Sequence, residues 1–120
     1  MTPLPRLNLL VLRVQDLEKA VALYRAIGLT FRPEQHGSGP IHYSANLAGL
    51  ILELYPRTAQ MPSSSGTRLG FTVDTLDQRL AELTRLGAKV LTPPQASPWG
   101  RRAVVQDGDR HTIELIESEQ

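Results

Sequence analysis

Two glutamates, Glu53 and Glu114, stand in matching contexts, Leu50-Ile-Leu-Glu53-Leu-Tyr55 and His111-Thr-Ile-Glu114-Leu-Ile116, at an offset of 61 residues. Two carboxylates brought together in a cavity can hold a divalent cation, which chelates two substrate oxygens and stabilises negative charge as it develops. His42 alternates with Ser44 and Asn46, so an otherwise apolar strand carries one polar face on which an imidazole is a candidate base. Tyr55 shares the parity of Glu53 and is a candidate ligand contact. The segment Thr92-Pro-Pro-Gln-Ala-Ser-Pro-Trp-Gly-Arg-Arg102 reads as an irregular lid. Its Trp99, the single tryptophan, can stack on a planar ligand, and Arg101 or Arg102 can meet an anionic group. If those arginines lie in a strand they must point opposite ways, and one is then solvated. A two-histidine, one-carboxylate iron site can be assembled on paper from His36, His42 and Glu53, but the spacing does not favour it. His36, beside Gly37-Ser-Gly39, reads as a loop residue, and His111 as a turn residue rather than a ligand.

The elements that must position these groups occur twice. Leu7 to Val14 is an apolar run, followed by helical spacing at Leu17, Ala20, Val21, Tyr24 and Ile27, with Asp16 able to cap the first turn and Gly28 to end the helix. The second half repeats the design: Leu69 to Val73, a capping-box spacing of Thr75 with Gln78, then Leu76, Leu80, Leu83 and Leu86 before Gly87. Strand-like segments follow at Leu29 to Phe31, Ile41 to Leu47 and Leu50 to Tyr55, and again at Lys89 to Leu91, Ala103 to Gln106 and Thr112 to Ile116. Ala48-Gly49 and Asp107-Gly-Asp109 supply turns. Residues 56–66 suit a flexible connector whose serines are linker rather than chemistry. The expectation is one α+β domain, 1–120, of two tandem βαβββ modules at approximately 6–56 and 67–117, forming a curved sheet with helices outside and an open concave cavity. Alternation puts Glu53 and Glu114 on the face turned away from the helices, where the two should approach each other.

The chain has 120 residues, enough for one real core, and a net charge of +1 gives no reason to expect nucleic acid as a partner. It has no cysteine, which removes disulfides and thiolate chemistry and is compatible with a reducing cytoplasm. No segment approaches the ~20 apolar residues of a membrane helix. The expected location is cytoplasmic.

Taken in order, Leu12-Arg-Val-Gln-Asp-Leu17, Leu23-Tyr24, Gly28-Leu29, Glu53-Leu54 and Ile113-Glu-Leu115 resemble the vicinal-oxygen-chelate superfamily of glyoxalases, extradiol dioxygenases and bleomycin-resistance proteins. The resemblance spans residues 7–117. It implies four metal-ligand positions, one on the first and one on the last strand of each module, falling here on Leu9, Glu53, Arg68 and Glu114. Leu9 has no donor atom and Arg68 has no lone pair to offer, so the quartet is incomplete. Arg68 can instead neutralise the carboxylates. The implied function is then cofactor-free binding of an unidentified small molecule, with His42, Tyr55, Arg68, Trp99 and Arg101 as contacts. The alternative is a lyase, isomerase or dioxygenase acting on vicinal oxygens, in which Glu53 and Glu114 hold Mn, Mg, Fe, Ni or Zn. Whether the chain is an enzyme stays open at this point. The resemblance also implies a homodimer.

Overall fold

The computed structural model describes residues 2–118. The first module contains β1 (Leu9–Val14), α1 (Leu17–Ile27), β2 (Arg32–Glu34), β3 (His42–Leu47) and β4 (Leu50–Pro56). The second contains β5 (Arg68–Val73), α2 (Leu76–Arg85), β6 (Lys89–Ser97), β7 (Gly100–Gln106) and β8 (Thr112–Glu117). The sequence repeat is thus a structural repeat of two βαβββ units. Their strands form two four-stranded sheets, ordered β1-β4-β3-β2 and β5-β8-β7-β6. In each sheet the first strand runs parallel to the last, and the other neighbours are antiparallel.

Helix α1 begins where Asp16 Oδ1 accepts the Lys19 amide at 3.1 Å, and stops at Gly28, whose φ of 125° lies outside the comfortable range of other residues. The capping box expected of Thr75 and Gln78 does not form. Thr75 is left-handed at φ 45° and makes no side-chain cap bond; Glu117 Oε2 accepts the Leu76 amide instead, at 2.8 Å. A strand residue far along the chain has taken over a local role, which no local pattern could reveal.

Two further segments differ from expectation. Leu29 and Phe31 are buried, but β2 starts only at Arg32, so these side chains plug the core without joining a ladder. Thr92 to Arg102 is not an irregular lid. Strand β6 continues through Pro93 and Pro94 to Ser97 and turns into β7, so the segment is a long hairpin arm. The prolines are tolerated because β6 is an edge strand and its register shifts around Thr92.

One face of each sheet is leucine-rich and covered by its helix. Leu12, Leu52 and Leu54 are buried with Val21, Tyr24 and Ile27 of α1, while Ala103, Val105, Ile113 and Leu115 are buried with Leu76 and Leu83 of α2. The two helices also meet: Arg79 on α2 donates to the Ala26 carbonyl at 3.2 Å. A Cβ at position 28 would sit 3.3 Å from the Arg79 guanidinium, a second reason for glycine there. The modules are therefore joined on their helix sides, and the opposite face of each sheet stays open. Among the described residues no helix is long and apolar enough to cross a membrane.

The β3–β4 turn sets the register of the strands that carry the first open face. Ala48 and Gly49 both have positive φ, 54° and 105°, as a two-residue hairpin that matches the sheet twist requires. Alanine in this conformation is strained, whereas asparagine adopts it readily. Ala48→Asn is expected to stabilise the chain by about 0.5–1 kcal/mol, read as a raised thermal midpoint. An unchanged or lowered midpoint would count against strain at this turn.

Candidate functional site

Register places a row of four side chains across the open face of the first sheet. Arg13 pairs with Tyr55 between β1 and β4, and Glu34 pairs with His42 between β2 and β3. The rings of Tyr55 and His42 stack at 4.1 Å between centroids and 9° between planes, and the Arg13 guanidinium lies 5.0 Å from the Tyr55 centroid. The row is therefore a continuous stack of guanidinium, phenol and imidazole. Val11, Glu53, Ser44 and Arg32 form the next row. Beside them is an open groove lined by Leu9, Glu34, Ser44, Ile51 and Glu53.

His42 is buried, 1% exposed, and its Nε2 lies 3.5 Å from Glu34 Oε1, 3.5 Å from Glu53 Oε2 and 3.3 Å from the Tyr55 hydroxyl. Desolvation, with the Glu53 carboxylate next in importance, raises the Tyr55 pKa above its ordinary value, so this phenol stays a neutral hydrogen-bond donor. Arg13 also belongs to this face, although the sequence reading did not single it out. Its Nη1 is buried with no hydrogen-bond partner. The signal available was parity: Leu9, Val11 and Arg13 alternate with the buried Leu12 and Val14.

The open face of the second sheet has a different character. Glu114 Oε2 accepts from Arg102 at 2.8 Å and from Arg68 at 3.1 Å. Arg102 first and Arg68 second hold this carboxyl below the usual range. Arg68 thus meets Glu114 as its parity implies, with Arg102 as an additional partner. Arg101 points the other way, toward α2, where it donates to both oxygens of Asp77 at 3.1 Å. The open face belongs to Arg102, and Arg101 is a helix-side tie. Trp99 projects from the tip of the β6–β7 hairpin, 68% exposed.

Glu53 and Glu114 share no partner among the described residues. They sit on separate sheets with separate partners, imidazole for one and two guanidiniums for the other. The four positions implied by the resemblance do not fit a metal. Leu9 offers no donor, and the charge of Glu114 is already met by the arginines.

A second cluster lies between the modules. His111 Nδ1 is 2.7 Å from Asp107 Oδ2, its Nε2 is 2.6 Å from Ser64 Oγ, and Tyr24 donates to Asp107 Oδ2 at 2.8 Å. Serine, histidine and aspartate in this order have the layout of a hydrolase triad. Here, however, His111 is wholly buried and Ser64 Oγ is already engaged, accepting the Arg13 amide at 2.8 Å. The cluster is a cross-link from the connector to β1, α1 and the β7–β8 turn. One of the serines read as plain linker is therefore structural.

The profile of the Glyoxalase/Bleomycin resistance protein/Dioxygenase superfamily matches residues 6–115. Among solved structures, the chain is similar to TnmS3, an antibiotic binding protein from Streptomyces sp. CB03234, with 27% identity, 99% of this chain and 100% of that one covered, and a TM-score of 0.74. It is also similar to a glyoxalase/bleomycin resistance protein from the same organism, at 29% identity, 92% and 99% coverage and a TM-score of 0.68. TioX from Micromonospora sp. ML1 shares the fold at 24% identity, 92% and 97% coverage and a TM-score of 0.65. No curated protein matches the sequence. With two βαβββ modules, helices joined on one side and an open face on each sheet, the chain belongs to the glyoxalase/bleomycin resistance protein/dioxygenase superfamily.

Proposed function

We propose that the protein binds a small organic molecule on its open faces, with no cation bridging Glu53 and Glu114 and no turnover required. The observation that carries this reading is the Arg13 guanidinium, stacked on Tyr55 with a buried Nη1 that lacks a partner. Buried donors are nearly always satisfied, so an orphan on the open face of the first sheet invites an acceptor from a ligand. The stack of Arg13, Tyr55 and His42 suits a planar molecule, and Arg68 and Arg102 on the second face add positive charge. Similarity to an antibiotic binding protein supports the same class of ligand.

Each chain supplies two half-sites, and the outer strands β1 and β5 are sheet edges. A second copy that pairs a first-module face with a second-module face would close the groove. The exposed Leu7, Leu9, Ile41 and Trp99 favour such a homodimer. A cytoplasmic location belongs to this reading and rests on the cysteine-free sequence.

The test is a thermal-shift and calorimetric screen of chelator-treated protein against aromatic anions, with 2-naphthoate as the first probe and planar antibiotics as the second set. Ligand that binds the native state raises its midpoint in a concentration-dependent way. If no compound of either set shifts the midpoint or releases heat, the proposal fails.

A further inference from the structure

The geometry points to a divalent-cation site on the β2–β3 hairpin, formed by Glu34, His36 and His42 with water completing the coordination. It shares no residue with the quartet the fold resemblance implies.

Glu34, His36 and His42 each offer one ligand atom, and these atoms lie within 4.8 Å of one another. Glu34 and His42 are cross-strand partners, and His36 comes from the loop that joins their strands, so the three are assembled by one hairpin. Glu53, on β4 beside β3, approaches His42 alone and is not one of the three. The separations from His42 Nε2 to both carboxylates are 3.5 Å. That is long for a charge-assisted hydrogen bond, which closes to about 2.7–2.9 Å. It is near the ~3.3–3.4 Å between ligand atoms that tetrahedral geometry gives for metal bonds of about 2.0–2.1 Å.

The orientation of His42 strengthens the inference. Its Nδ1 lies 3.3 Å from the Pro40 carbonyl, which can only accept, so in the neutral ring that a metal needs Nδ1 carries the proton and Nε2 presents the lone pair. An imidazole held by a backbone carbonyl at one nitrogen is the arrangement that metal-ligating histidines use. The Tyr55 hydroxyl near Nε2 does not fill that lone pair. The two rings are nearly parallel, so the hydroxyl approaches from above the imidazole, whereas the lone pair lies in the imidazole plane. A histidine that is 1% exposed therefore directs an electron pair toward a space bordered by two carboxylates and the His36 ring, whose centroid is 5.1 Å away.

Two imidazole nitrogens and one carboxylate oxygen, with water in the open position, suit a borderline divalent ion, Zn²⁺ or Co²⁺, and not Mg²⁺ or Ca²⁺, which take oxygen donors. The site requires nothing from the second module. It shares His42 with the stack proposed for the ligand, and the two are told apart because the ligand test uses chelator-treated protein.

The experiment is calorimetric titration of untagged, chelator-stripped full-length protein with Zn²⁺, and with Co²⁺ followed by its visible absorption. One ion per chain is expected, with a Co²⁺ spectrum of low-symmetry four-coordination. His36→Ala and Glu34→Gln, both on accessible side chains, should each weaken binding at least tenfold, while Glu114→Gln leaves it unchanged. His42→Ala should abolish binding, and its folding is checked by circular dichroism without metal. The inference is overturned by an absence of saturable binding. It is equally overturned by binding that survives both His36→Ala and Glu34→Gln, or that depends on Glu114.

Discussion

Asp107→Ala is expected to destabilise the chain by about 3–5 kcal/mol, the largest effect of any single polar substitution, seen as an early midpoint in urea unfolding. The carboxylate accepts from the Tyr24 hydroxyl, the His111 ring and the amides of Asp109 and His111, so alanine leaves four buried or half-buried donors without an acceptor. Burial alone would raise its pKa. The His111 side chain, the His111 amide and Tyr24 more than offset that and hold it below the ordinary carboxylate value. A depressed native pKa gives stability that is fully present above the unfolded value of about 4 and is lost as pH falls through the native one. Tyr24 has the opposite sign: burial first, then Asp107, push its phenol far up, so its contribution holds below pH ~10 and is lost at higher pH. Wild-type stability should therefore fall off on both flanks. Asp107→Asn, which keeps the shape but cannot ionise, should flatten the acid flank. An Asp107→Ala variant within 1 kcal/mol of wild type, a threshold set by the roughly 0.5–1.5 kcal/mol of an ordinary hydrogen bond, would show that the modules are held by packing alone.

The second large effect concerns affinity. Arg13→Ala is expected to weaken binding of an aromatic anion such as 2-naphthoate by about 10- to 100-fold, the range of a hydrogen bond to a charged group. The loss should shrink to less than about threefold when the carboxylate of the probe is replaced by its neutral methyl amide, since only the stack would then be lost. Equal losses for acid and amide would mean that Arg13 packs against Tyr55 and does not receive the anion. Calorimetry of the two probes against the two proteins gives all four affinities.

The fold was legible because its signals are local and repeated: the Asp16 cap, the Gly28 stop, the alternation that sends Leu52 and Leu54 inward and Glu53 and Tyr55 outward. Parity also placed Arg68 beside Glu114. What failed to appear depends on how distant segments meet. Parity fixes which face a residue occupies, yet not which partners it meets there, and so Glu53 and Glu114, paired in sequence, sit on separate sheets with different partners. The β2–β3 hairpin brings Glu34 to His42, a juxtaposition hidden by the loop between them, and spacing alone therefore undervalued His36 and His42. The same holds for Ser64. A serine in a connector is ordinary until the fold sets it 2.6 Å from a buried imidazole.

The two halves share a backbone plan but carry different chemistry on their open faces, an imidazole between carboxylates on one and a carboxylate between guanidiniums on the other. Because each face rests on its own hydrogen-bonded sheet, a substitution on one has no direct mechanical route to the other. Such a duplicated scaffold can change its chemical preferences one half at a time, while the helix-side contacts that hold the halves together stay fixed. If two copies pair as proposed, breadth of recognition becomes a combinatorial property, set by which pair of faces is matched and not by the redesign of a whole cavity.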